Sequence, residues 1–359
     1  MNQNSAFLAD PLLIERYLAL RDEAIRHTLP SCIATCPGLI EQLGQRGRDA
    51  CAEDLGYHLD FLRPTLESGD LSPFTSYLAW LADVLASRGI PAESVPGSLE
   101  NLATFFTGKL GDAGAPVAAA LLAGRTALIQ GIEAPTYDQP CPMPWEEADA
   151  FCDAVLSGNR HAASALFASA LDREQSLTKA AVHVIQPALY AVGRRWQANN
   201  VSVAQEHLAT SLAQTVMTQG FGRFDVAPDN GRRALFACMA GNHHTVGLRM
   251  VADAFEFDGW TSHYLGANVP LSALVTQVRT LRPHLVGLSA SLPYQLRALR
   301  ETISVLRAAF AEDCPHLVVG GLVFNQFPQL AESLGAELLG ADACAAAASI
   351  RERLPASGS

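Results

Sequence analysis

Apolar positions in the first part of the chain recur at three- and four-residue spacing: Leu55, Leu59, Leu62 and Leu66, then Tyr77, Trp80, Leu81, Val84 and Leu85. That period lines side chains along one face of a helix. Residues 1–130 are therefore expected to form an all-α domain, punctuated by Pro64, Pro73 and the stretch SRGIPAESVPGS. The following GIEAPTYDQPCPMP is rich in proline, which stiffens the chain and excludes regular structure, so 131–143 reads as a linker. Residues 144–225 return to helical spacing, with helices expected at 145–157, 159–171, 173–198 and 203–220. Their short breaks suit a four-helix bundle. Asn199-Asn200 should end the third of these helices. Ser202-Val203-Ala204-Gln205 has the form of a capping box opening the fourth. Trp196 then falls at the end of one helix, and Glu206 and His207 in the first turn of the next.

From about residue 232 the period changes. Short apolar runs at 234–240, 261–267, 284–291, 316–321 and 336–342 alternate with amphipathic segments. This predicts a doubly wound, flavodoxin-like five-stranded parallel sheet over 232–355, covered on both faces. The chain as a whole reads as multidomain, α followed by α/β. Ligands of such sheets bind at the carboxyl ends of the strands, so the loops after the first, third and fourth strands are where chemistry is expected.

Composition narrows the function. The 359 residues carry a formal charge of −11, from 25 basic and 36 acidic side chains. That balance argues against an extended nucleic-acid surface, and no direct nucleic-acid partner is expected. The N-terminus lacks a signal-peptide pattern, and no uninterrupted apolar run approaches about 18 residues. A cytoplasmic protein with no membrane span is the expectation. The eight cysteines are scattered, with no CxxC pair, as for reduced thiols. Cys32 and Cys36 are expected to share a helix face as small core residues.

The first strand leads into Ala240-Gly241-Asn242-His243-His244-Thr245-Val246-Gly247. A histidine in a strand-to-helix loop can present a ring nitrogen to a metal. Asn242, two residues away, is the candidate partner for the other nitrogen, and Gly247 leaves room for a bulky ligand. The third strand ends in Ser289-Ala290-Ser291 and the fourth in Gly320-Gly321, where backbone can approach a ligand closely. Phosphate-loop patterns are absent. Adjacent His243 and His244 lack the partners of a zinc site.

Taken in order, these segments resemble the cobalamin-binding domain family, whose pattern is D/E-x-H-x-x-G, then S-x-L or S-x-T, then G-G. The resemblance implies that His244 is the lower cobalt ligand, with Asn242, His243, Thr245, Val246 and Gly247 around it. Ser289, with Ser291 nearby, would bond the buried benzimidazole tail, and Gly320 and Gly321 would line its channel. Asn242 departs from the usual acidic residue, and Ser291 from the usual Leu or Thr. A neutral Asn lends His244 no negative charge.

The stretch from Trp196 to Glu206-His207 resembles the four-helix cap of the adenosylcobalamin photoreceptors. By that resemblance Trp196 and Glu206 sit at the upper axial group, and His207 is a candidate upper ligand after light. Trp196 is equally an ordinary bundle-core residue on its spacing alone. The N-terminal stretch GYHLDFLRPTLESGDLSPFTSYLAWLADVLASRGI resembles a globin-like sensor domain. That domain order resembles the photocobilins, which pair cobalamin with a bilin. Biliverdin or another bilin would be held by Tyr57, His58, Arg63, Tyr77, Trp80 and Arg88, with Cys32, Cys36 or Cys51 as thioether candidates. The same aromatics also fit a helical core. The implied function is a light sensor without turnover, signalling through a protein partner or a homo-oligomer. A corrinoid methyl carrier and a non-photochemical sensor remain alternatives.

Overall fold

The computed structural model describes residues 6–35, 37–91, 94–131 and 143–353. Most of the expected linker (132–142) and Cys36 lie outside them. The chain divides into two compact units, Met1–Thr136 with Gln197–Asn199, and Tyr137–Trp196 with Asn200–Ser359.

The first unit is helical: α1 (Pro11–Thr35), α2 (Pro37–Leu43), α3 (Gln45–Ser68), α4 (Ser72–Ser87), α5 (Ser94–Leu110) and α6 (Ala115–Ile129). The leucines at 55, 59, 62 and 66 are all buried, as their spacing requires. Tyr17 of α1 donates its buried hydroxyl to the Leu59 carbonyl of α3 at 2.7 Å. Arg21 forks onto both carboxylate oxygens of Asp60 at 2.9 and 2.8 Å, a geometry suited to guanidinium. By length and composition the 36-residue run Ser94–Ile129 is apolar enough to cross a membrane. The turn Gly111–Gly114 cuts it into helices of 17 and 15 residues that pack on each other, each short of a span.

The second unit begins with α7 (Glu147–Leu156), α8 (Arg160–Glu174), α9 (Leu177–Ala180), a π segment (Ala181–Ile185), α10 (Gln186–Gln197) and α11 (Val203–Phe221). The break expected near 172 falls instead at Gln175-Ser176. Gln175 closes α8 in the left-handed region, and the Ser176 hydroxyl accepts the Lys179 amide to open α9. Pro187 has no amide to give the carbonyl four residues back, that of His183. Trp145 supplies one at 3.0 Å, and its indole stacks on the His183 ring at 4.7 Å. The capping box at Ser202 and Gln205 forms as expected.

The α/β part runs β1 (Arg233–Cys238), α12 (Val246–Phe257), β2 (Thr261–Tyr264), α13 (Leu271–Leu281), β3 (Leu285–Ser289), α14 (Leu296–Phe310), β4 (His316–Gly320), α15 (Leu322–Gln326), α16 (Gln329–Ser333), β5 (Glu337–Leu338) and α17 (Ala343–Arg353). All strands pair in parallel, in the order β2-β1-β3-β4-β5. The strands are shorter than their apolar runs, although the next residues, Met239, Leu265 and Leu339, still donate to the neighbouring strands. Side chains alternate between two cores. Leu235, Ala237, Val286 and Leu288 pack with α13 and α14, whereas Ala234 and Phe236 pack with α12 and α17. The outer faces of α12 and α17, through Met250, Ala254, Ala343 and Ala347, share a third core with the helices α7–α11. That shared core fixes α11 beside the carboxyl end of β1.

Candidate functional site

The order reverses between β1 and β3, the switch point where loops diverge and leave a crevice. After β1 the chain turns at Gly241, whose φ is 78°. Asn242 follows and is fully buried. Its Nδ2 donates to the Ser289 carbonyl at 2.9 Å, and its Oδ1 accepts the His244 amide at 3.0 Å and lies 3.3 Å from His244 Nδ1. With Nδ2 committed to a carbonyl, only the oxygen faces the imidazole. Nδ1 therefore carries the proton, and Nε2 is left as the electron-pair donor.

His244 is held below its ordinary pKa, first by burial and then by His243, with the Glu206 carboxylate opposing. A neutral imidazole at neutral pH is the form that binds a metal. Glu206, in the first turn of α11, therefore lies within charge range of this loop. Beneath it, burial pushes the Cys238 thiol up to about 11, against a hydrogen bond from Ser289, so Cys238 is no competing thiolate.

Thr245 is tied from two sides: Tyr264 donates to its carbonyl at 3.2 Å, and Gln214 of α11 donates to its hydroxyl at 3.0 Å. Val246 packs on the helical core, while His243 is exposed. Ser289 and Ser291 are both buried. Gln295 accepts the Ser291 amide at 2.8 Å and donates to the Gly241 carbonyl at 2.9 Å, clasping the two loops together. Gly320 pairs in register with Ser289. Gly321 has φ 103°, and a Cβ there would stand 2.2 Å from the Ala290 carbonyl oxygen, so no other residue fits. At Gly247 and Gly320, by contrast, a Cβ would meet nothing within 4 Å. The space beside these two glycines is open. A bulky ligand with a donor atom from His244 is what this arrangement fits.

Half-buried Trp196 stands at the end of α10. In the first turn of α11, Glu206 Oε2 lies 2.6 Å from His207 Nδ1, and Thr210 donates to Glu206 Oε1 at 2.9 Å. The His207 side chain is 75% exposed.

The residues considered for a bilin divide. His58 and Tyr77 meet inside the first unit, Nδ1 to hydroxyl at 2.9 Å. Tyr77 stacks on Phe61 at 4.0 Å, with Trp80 6.4 Å away. Tyr57, one residue from buried His58, is 48% exposed on the other side of α3. Arg63 is engaged by Glu67 at 2.6 Å, and Arg88 caps its own helix at the Val84 carbonyl, 2.9 Å away. Cys32 lies 2.8 Å from the Ser98 hydroxyl, and Cys51 is half-buried. One residue not anticipated, Asp54, sits one turn before His58 and is pushed up to about 6, by burial and then by Glu53. Gln214, Tyr264, Asn268 and Gln295 were likewise not singled out in the sequence. Asn268, whose side chain accepts the Gly241 amide at 2.8 Å, holds the loop from β2.

Residues 147–219 and 232–348 are matched by two family models, each described as a B12 binding domain. The chain is 37% identical over 138 residues to the HTH-type transcriptional repressor CarA of Myxococcus xanthus, covering 38% of this chain and 46% of that protein. It is 32% identical over 157 residues to the repressor CarH of the same organism, covering 44% and 51%. Dimethylamine corrinoid protein 1 of Methanosarcina mazei is 26% identical over 114 residues, covering 32% of this chain and 52% of that protein. The chain spans about half the length of these curated relatives.

Proposed function

We propose that this chain, which carries a cobalamin-binding module, is a light sensor that uses adenosylcobalamin and has no turnover of its own. The observation that supports the proposal is the Glu206–His207 pair in the first turn of α11, with Glu206 within charge range of His244 and Trp196 at the end of the preceding helix. When bound, the cofactor supplies a cobalt–carbon bond that light can cleave.

The protein's own residues do the rest. His244 offers Nε2 from below, its tautomer set by Asn242. Ser289 and Ser291 would border the channel of the buried tail, Gly320 would leave it clear, and Gly321 would let the β4 turn pack on Ala290. Trp196 would form an apolar wall beside the cofactor, and Glu206 would orient His207, whose ring would be the candidate to hold the metal after light. A change in which residues hold the cofactor would favour one placement of α11 over another, which is how a local change would become a signal. The signal passes to a partner protein or through a homo-oligomer. Similarity to the repressors CarA and CarH over the module supports a regulatory role.

A bilin in the first unit, read as globin-like, belongs to the same proposal. The buried His58–Tyr77 pair among Phe61 and Trp80 supports it as a polar centre in an aromatic setting. Similarity to a dimethylamine corrinoid protein favours a second reading, a methyl carrier. A carrier would need an upper face open to a partner enzyme, whereas Trp196 and Glu206–His207, in the roles the resemblance implies, would fill that face.

Reconstitution with adenosylcobalamin in the dark, with and without biliverdin, followed by green light, separates these readings. A lasting cobalamin absorption change, lost or altered in His207→Ala, is the expected result. A separate far-red band with biliverdin would add the second chromophore. Cobalamin that binds but stays unchanged under light that spares the free cofactor would overturn the sensor, and preference for methylcobalamin would establish the carrier.

A further inference from the structure

Glu206, Thr210 and Gln214 stand four residues apart on α11, so the helix sets them in one line. All three are half-buried, whereas their neighbours Ala209 and Ala213 are fully buried in the helical core. The line starts at the upper-face pair and descends through the Thr210–Glu206 hydrogen bond to Gln214, which reaches the Thr245 hydroxyl at 3.0 Å. Beyond Gln214, α11 is packed on α12, with the Phe221 and Phe257 rings 4.9 Å apart. Before Gln214, the first turn of the helix carries the Glu206–His207 pair. The Gln214–Thr245 rung therefore stands where the packed core ends and the crevice begins.

We infer that Gln214 and Thr245 form the polar inner wall of the corrin site and recognise the neutral carboxamide side chains on the corrin rim. The inference rests on the cobalamin reading. A glutamine amide and a threonine hydroxyl each donate and accept, so either can pair with a carboxamide in both senses. The line itself offers a carboxylate at Glu206 and no cation. Arg249, the cation in the first turn of α12, is paired with Asp253 at 2.7 Å. A rim carboxylate would thus lose water without gaining a charged partner, which costs more than losing one neutral hydrogen bond. Without ligand the two side chains satisfy each other, so loading exchanges one amide hydrogen bond for another rather than exposing a buried group. Thr245 is the fixed side of the wall, held through its carbonyl by Tyr264; Gln214 is the side that adapts.

The test is equilibrium binding of the full chain, in the dark, to adenosylcobalamin and to its derivatives with one rim propionamide at a time hydrolysed to the carboxylate. The chain should prefer the fully amidated cofactor over at least one carboxylate by about tenfold. Gln214→Leu and Thr245→Val should each weaken adenosylcobalamin by about 3- to 10-fold. The double variant should lose no more than the worse single, because both remove one wall. Gln214→Lys should narrow or reverse the preference against that carboxylate, a change that a merely structural glutamine would not produce. Unchanged affinity in both single variants, or equal loss of amide and carboxylate forms in Gln214→Lys, would overturn the inference while leaving cobalamin binding intact. A wild-type chain that takes up no cobalamin would instead remove the reading on which it rests.

Discussion

The crevice at the β1–β3 switch point and the aromatic cluster around His58 both gather polar groups inside apolar surroundings, yet they differ in what is left over. At the crevice, Asn242 spends every polar atom on holding a loop, and the outcome is one ring nitrogen of His244 that faces outward beside open space at Gly247 and Gly320. In the first unit, His58 and Tyr77 turn towards each other and Phe61 covers the tyrosine ring. One arrangement exports a donor; the other closes on itself. A satisfied pair must give up one partner before it can take a ligand, whereas a rigidly supported group with an uncommitted atom is already poised to bind.

The largest effect that would sharpen the contrast is at the ligand itself. His244→Ala should lower cobalamin affinity by more than about 100-fold, since even a partner of a metal ligand is worth about 10- to 100-fold. His58→Ala should leave cobalamin uptake unchanged. Titration of both variants by absorption checks this, and equal losses would erase the distinction between the two regions. Next comes the support: Asn242→Ala should weaken binding by about 10-fold or more through a mobile His244. Asn242→Asp keeps the acceptor but loses the donor to the Ser289 carbonyl, so it should fall between Ala and wild type.

The smallest effect lies in the closed cluster. Burial holds His58 at about 4, below its ordinary 6.5, so the unfolded chain binds the extra proton and stability falls between pH 6.5 and 4. Asp54 is raised to about 6 from 3.8, so its protonation favours the folded form over nearly the same window. The two slopes oppose, and the native unit should respond weakly to acid there. Asp54→Asn should uncover a loss on the order of 2 kcal/mol on going from pH 6.5 to 4, and His58→Gln a gain of similar size. Hydrogen exchange of α3 amides reads both, and parallel slopes in the two variants would refute the opposition.

Local rules made much of this legible. The capping box at Ser202 and the helical leucines of α3 follow from spacing within a few residues, as does the change of period at 232. Asn242 beside His244 was equally readable, because two residues in one tight loop must meet. What stayed hidden depends on chain segments far apart in sequence. Gln295 clasps Gly241 across 54 residues and Gln214 meets Thr245 across 31, and no local pattern marks either glutamine. The tetrapyrrole candidates on α3 and α4 were chosen by residue type. Helical spacing then separated Tyr57 from His58, since adjacent residues on a helix point about 100° apart.

The π segment at Ala181–Ile185 carries a consequence for angular phase. A π turn takes in one residue more than an α turn, so everything after it is rotated by about 100° relative to an uninterrupted helix begun at Leu177. Trp196 owes its azimuth to that inserted step. Deleting one residue within 181–185 should let the segment close into α turns and leave the indole where it now points, whereas deleting one from the α-helical stretch 188–195 should swing it by about 100°.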